Sequence, residues 1–182
     1  MNLFKHVHAG KHTPLEQAFE RYYPAIFQYF RYRGADADTA KDLASSTFER
    51  ALVHLDQYDP RKAQIQTWLF TIARNLAINH WKSESHTPLA PLEEDLPMPE
   101  AEPLEDAIIL SQDKQQILSA LASLDARAVE IVALKFGGRL TNRQIANLTG
   151  LTEINTGILI YRALARLRLL LAETHTEARH EH

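Results

Sequence analysis

Apolar residues recur at three- and four-residue steps in each patterned stretch of this chain, which is the spacing of one helix face. The rest is arranged around the stretch from Asp59 to Lys82, DPRKAQIQTWLFTIARNLAINHWK. Its second half reads as one helix with Trp68, Leu69, Ile72, Ala73, Leu76 and His80 on one face. Phe70, Thr71, Arg74, Asn75, Ile78, Trp81 and Lys82 fall largely on the other. That second face mixes cations, amides and aromatics and carries no acid. Cations suit phosphate, amides suit base edges and aromatics suit stacking, as a nucleic-acid reader requires. An ordinary solvated helix face is the plainer reading of the same residues.

The pattern upstream predicts two more helices. Thr13-Pro14-Leu15-Glu16 is a helix start, with Thr13 as cap, Pro14 in the first turn and Glu16 closing a capping box. Leu15, Phe19, Tyr22, Tyr23, Ile26, Phe27 and Phe30 form a broad apolar stripe suited to core packing. Pro24 should kink or divide this helix and Gly34 should end it. The next helix starts at Asp36 or Asp38 and runs to about Leu55. Leu43, Thr47, Phe48, Ala51, Leu52 and Leu55 should point inward, leaving Lys41, Asp42, Ser45, Ser46, Glu49 and Arg50 outside. Tyr58-Asp59-Pro60 turns the chain into the organising stretch.

Four further helices are predicted near the C-terminus. Leu110, Ile117, Leu118, Leu121 and Leu124 make one amphipathic face. Asp125 caps a helix with Val129, Ile131, Val132, Leu134 and Phe136, which Gly137-Gly138 stops. Thr141 and Gln144 form a capping box before Ile145, Ala146 and Leu148. Gly150 makes a turn and Thr152 caps a long last helix. Small Ala146, the Gly150 turn and Leu159 packed behind them give helix-turn-helix spacing.

Charge divides the chain at one place. Of 182 residues, 45% are apolar, and the net charge is −3. Residues 1–82 carry +3 and residues 107–182 carry +2, while the stretch 83–106 carries −8 with no Lys or Arg. That acidic stretch also holds five of the eight prolines, and so reads as an extended connector. The expected organisation is a tail (1–13), a helical domain (14–83), an acidic Pro-rich linker (84–106), a helix-turn-helix domain (107–173) and a second tail (174–182). The fold class expected is all-α, with two small helical domains. There is no cysteine, hence no disulfide framework, and no apolar run approaches a membrane span. A soluble, cytoplasmic protein without membrane insertion is expected.

WLFTIARNLAINHWK resembles the promoter-melting helix of bacterial sigma factors of the small, two-domain extracytoplasmic-function type in the sigma-70 family. The resemblance extends through DLASSTFERALVHLDQYD and reappears near the C-terminus, covering about Leu15 to Leu171. It implies a dissociable specificity subunit that binds core RNA polymerase and promoter DNA, directs melting and initiation, and admits an anti-sigma partner. It implies that the loop from Arg61 and Lys62 to Gln66 captures a base flipped from the non-template strand. Arg74, Asn75 and Asn79 match positions facing the upstream edge of the −10 element, with Thr67, Thr71 and Lys82 alongside. In the second domain, Arg143, Thr152, Glu153, Asn155 and Arg162 are the expected DNA contacts, with Arg166 and Arg139 as further phosphate anchors. Asp42, Ser45, Ser46, Glu49 and Arg50 match the dock for the polymerase clamp helices. The family often has Gln-Glu where Ser45-Ser46 stand, and Lys, Ser and Arg where Gly157, Ile158 and Leu159 stand. Acidic residues in the linker would suit a mimic of nucleic acid inside polymerase channels.

Six of the nine histidines lie in the two tails, at spacings that fix no metal geometry. No nucleophile–base arrangement and no phosphate loop is present, so neither an enzyme nor a cofactor is expected. Two rivals share the same pattern. One is a regulatory DNA-binding protein that has lost polymerase docking. The other is a helical interaction adaptor using the apolar surface from Ile154 to Ile160.

Overall fold

The computed structural model describes residues 14–84 and 114–180, and all regular structure within them is helical. The Thr13 cap, Leu110, the acidic linker and the head histidines lie outside those residues. Helix α1 spans Pro14–Tyr32. It continues through Pro24, so the expected division does not occur. Pro24 and Glu20, four residues back, are both exposed, so water can satisfy the carbonyl that proline leaves without a donor. Gly34, at φ +99°, ends α1, and Ala35 N–H reaches back to the Phe30 carbonyl.

Helix α2 spans Ala37–Val53 and is capped by Asp36, whose carboxylate accepts from the backbone of Asp38 and Thr39. Those hydrogen bonds, the one from Thr39 first, hold the Asp36 carboxyl below its ordinary range. Ala40, Ala44, Thr47, Phe48 and Ala51 are the buried face of α2. Leu43 and Leu55 are half-buried and Leu52 is 51% exposed, so the buried face is rotated toward the small residues. Small side chains let α2 lie close to its neighbours, and the bulk comes from α1. Phe19 meets Phe48 edge-on at 4.8 Å. After a 3-10 turn at Leu55–Gln57 comes α3, Ile65–Glu84. Leu69, Phe70, Ala73, Leu76 and Ala77 of α3 are buried. Trp68, on the same face as Leu69 and Leu76 by its spacing, is half-buried and lies against Tyr58 at 5.0 Å.

The C-terminal half begins with α4 (Lys114–Ala122) and α5 (Ala126–Val132), the latter capped by Asp125. The chain then makes one widened turn, Ala133–Gly137, closed by Gly138 N–H on the Ala133 carbonyl. Helix α6 spans Asn142–Thr149 with the predicted Thr141/Gln144 capping box, and Gly150 follows at φ +75°. Helix α7 spans Glu153–His180, running on into residues expected as a tail. Ile160, Ala163, Leu164 and Leu167 of α7 are buried, and α4, α5 and α6 all pack on this helix.

Gly137 and Gly138 do not supply the left-handed stop expected of them. Arg139, at φ +54°, takes that conformation instead. The glycines serve close packing between the two halves. A Cβ at Gly137 would lie 2.9 Å from the backbone of Tyr29 in α1, and one at Gly138 would lie 2.8 Å from the Phe70 ring in α3. The halves therefore share a continuous buried core.

The observed α2 face is directly testable. Phe48→Ala should lower the unfolding free energy by about 3–5 kcal/mol, whereas Leu52→Ala should change it by under about 0.5 kcal/mol. Urea denaturation followed by circular dichroism measures both, and comparable losses would restore Leu52 to the core.

Candidate nucleic-acid interface

Two groups emerge from the residues expected to meet DNA. On α3, Thr71, Asn75, Asn79 and Lys82 are exposed along one side, with Ile78 among them. The spacing of Asn75 and Asn79 is one turn, so their amides project in the same direction. The buried positions Ala73, Leu76 and Ala77 lie behind them and fix the helix. This part of the reading face is open.

Gln66, Thr67 and Arg74 form the second group, and these three face the C-terminal half. Arg74 Nε donates to Glu130 Oε1 of α5 at 2.7 Å, with the two side chains 26% and 15% exposed. The Gln144 amide nitrogen lies 3.3 Å from Gln64 Oε1, 3.3 Å from Gln66 Oε1 and 3.5 Å from Thr67 Oγ1. Gln66 Nε2 donates in turn to the Gly138 carbonyl at 3.4 Å. Phe70, placed by its periodicity on the reading face, is fully buried against Tyr29. Its side of the helix is covered by the second half, which the pattern of α3 alone does not reveal.

Arg61 and Lys62 are exposed ahead of α3. The Arg61 guanidinium forms a two-point pair with Asp59, both bonds 3.0 Å. That pair holds the Asp59 carboxyl below its ordinary range and raises Arg61 further. Lys62 forms no ion pair among the described residues, so the two cations are not equivalent.

In the C-terminal half, Arg143, Thr152, Glu153 and Asn155 are exposed at the entrance to α6 and α7, and Arg162 is half-buried. Asn155 N–H donates to Thr152 Oγ1 at 3.1 Å, which confirms the cap. Arg139 and Arg166 are also exposed. Ile160 is buried, as a core role for the apolar helix requires, but Ile154 is 76% exposed. The apolar surface expected from Ile154 to Ile160 is therefore exposed at its first residue and buried at its last. On α2, Asp42, Ser45, Glu49 and Arg50 are exposed and Ser46 is half-buried, a continuous polar surface away from the core.

Chain comparisons bear on this surface. Residues 18–87 match the family model described as sigma-70 region 2. The ECF RNA polymerase sigma factor BldN of Streptomyces coelicolor is 31% identical over 95% of this chain and 66% of its own length. The chain belongs to the sigma-70 family, extracytoplasmic-function type. The ECF sigma factor RpoE of Cereibacter sphaeroides is 29% identical over 84% of this chain and 83% of its own. The fold of this sigma-family chain is also that of solved structures. RpoE of Bartonella quintana, crystallised with the anti-sigma factor NepR, superposes with a TM-score of 0.66 at 22% identity, covering 86% of this chain and 96% of that one. CnrH, in complex with the cytosolic domain of CnrY, gives 0.65 at 22% identity, covering 91% and 92%.

One feature of the seam lay outside any sequence signal. The Tyr29 hydroxyl is buried with no hydrogen-bond partner among the described residues. Burial pushes its ionisation well above the ordinary phenol value of 10.0. The unfolded phenol therefore loses its proton first, so Tyr29 withdraws stability as pH rises through 10.0. Tyr29→Phe should raise the unfolding free energy by about 1–3 kcal/mol, the desolvation cost of an unpaired hydroxyl. Denaturant melts of the two proteins at neutral pH test this, and a less stable phenylalanine variant would show that the hydroxyl is satisfied.

Proposed function

We propose that this chain is a promoter-specificity subunit that binds core RNA polymerase, holds an upstream promoter element through α6 and α7, and traps an unstacked −10 strand on α3. The observation that carries this reading is the acid-free, exposed row Thr71, Asn75, Asn79 and Lys82 within the segment that matches sigma-70 region 2. Asn pairs with adenine through two hydrogen bonds, and Lys holds phosphate. A flipped base needs a pocket to offset its lost stacking, and the Arg61–Gln66 loop is the place for it. The exposed Asp42–Arg50 surface supplies the polymerase dock. The relatives are RNA polymerase sigma factors, and one neighbour of the fold is bound to an anti-sigma factor, so a protein partner of that type is the expected regulator. The chain itself performs no chemistry, needs no cofactor and works in the cytoplasm with polymerase. No helix among the described residues is long and apolar enough to cross a membrane. The domain division at the acidic linker belongs to the same reading.

Run-off transcription with core enzyme and a promoter library tests this function, and a chain that supports no transcript from any promoter loses it. Within that assay the residues separate by kind. Asn75→Ala should cost about 1–3 kcal/mol and relax preference at one promoter position. Lys62→Ala should weaken all promoters alike and flatten the salt dependence by about one unit. Arg61→Ala should do less, because its guanidinium is already engaged by Asp59. Open-complex formation on single-base promoter variants at two salt concentrations reads these effects. Asp42→Arg with Glu49→Arg should abolish co-elution with core polymerase while leaving helical circular dichroism unchanged, since both side chains are exposed.

A further inference from the structure

We infer that Ile154 is a base-reading residue, whose side chain packs on the 5-methyl group of a thymine in the upstream promoter element, beside a gap left by Gly157. This rests on the reading of α7 as the helix that enters the major groove. Thymine is the base that offers an apolar group on that side of the duplex. An exposed isoleucine alone is ordinary on a protein surface. Its place on α7 and the glycine one turn further along distinguish this one.

The first turn of α7 is held in place and its direction is fixed. Thr156 is fully buried, and its hydroxyl donates to the Thr152 carbonyl at 2.9 Å. Asn155 N–H donates to Thr152 Oγ1 at 3.1 Å. Ile160, Ala163, Leu164 and Leu167 continue the buried side. Ile154 stands two residues before Thr156, about 200° around the helix, and it is exposed. It therefore points away from the core, between the exposed Glu153 and Asn155. Arg143, exposed at the start of α6, can hold phosphate and set the register of α7 on the duplex.

Gly157 is the second observation. Glycine weakens a helix relative to alanine. Nothing inside the fold asks for it at this position. Its backbone is not left-handed, since Gly34 and Gly150 are the glycines with positive φ among the described residues. A Cβ built on it would meet Asn142 Nδ2 at 3.6 Å, an ordinary contact, and nothing else within 4 Å outside its own helix backbone. The missing side chain therefore serves the outer side. Three residues from Ile154, Gly157 lies one turn along the same face. It leaves the helix backbone open to close approach there, so that a base edge comes near enough for its methyl group to reach Ile154. Glu153 and Asn155 place an acceptor for cytosine and an amide for adenine on either side.

The experiment uses the full-length chain with core RNA polymerase and a promoter selected from a library. Each thymine of the upstream element, on either strand, is replaced in turn by deoxyuridine, which lacks the methyl group and keeps every hydrogen bond. Competitive open-complex formation compares the paired templates. For wild type, one deoxyuridine should cost about fourfold, the transfer value of a methyl group. Ile154→Ala should lose a similar factor on the thymine template and nothing more on the deoxyuridine one. Ile154→Val should fall between. Helical circular dichroism should be retained, since Ile154 is exposed. Gly157→Ala should melt at a higher temperature and yet discriminate less, which a merely structural glycine would not do. The inference is overturned if no deoxyuridine costs wild type anything, if the selected element holds no thymine, or if Ile154→Ala keeps the full loss. Unchanged discrimination by Gly157→Ala overturns the role of the gap. Transcription without a deoxyuridine effect removes Ile154 alone and leaves the proposed function. If no promoter is transcribed, that function falls, and duplexes selected from a random pool by the full-length chain carry the same substitutions. A methyl-dependent loss there that Ile154→Ala abolishes keeps Ile154 as a reader, and its absence overturns the inference.

Discussion

Between α1 and the widened turn there is room for a hydrogen atom and not for a methyl group. The Gly137 contact with the Tyr29 backbone is the constraint on which the arrangement of the two halves depends. It brings Phe70 under cover, sets Glu130 within reach of Arg74, and places Gln144 among the amides ahead of α3. The seam is therefore part of one continuous buried core, in which the Tyr29 and Phe70 rings and the close backbone approach at Gly137 lie together, with polar pairs at its edge.

The helices themselves were legible because capping chemistry and apolar spacing agree along most of the chain. Asp36, Asp125, Thr141 and Gly150 each perform the terminal role their residue type suggests. The departures have physical causes. Leu52 was assigned inward because it is large, yet α2 buries its alanines, since the aromatic bulk comes from α1. Pro24 does not divide α1, because its side of the helix is exposed to water. Gly137 and Gly138 look like a helix stop in sequence, and only the neighbouring half reveals why they are small.

The candidate interface was legible in composition and only partly in placement. Periodicity put Arg74 and Asn75 on a polar side of α3, the resemblance added Asn79, and the two asparagines are exposed there. It could not separate Arg74 from them, because the partner of Arg74 stands 56 residues further along the chain. Phe70 was placed on the same side for the same reason and proves to be core. The apolar run from Ile154 to Ile160 was legible as a surface, but its two ends part company, since Ile154 is exposed on the first turn of α7 and Ile160 is core.

The seam also opens a cleft of about 760 Å³ whose walls belong to both halves, with Arg21, Gln28 and Tyr32 of α1 on one side and Phe136 and Arg139 on the other. Its lining includes two arginines and no acid. Because both halves line the cleft, a molecule seated there would touch both at once, and its affinity would be tied to their arrangement.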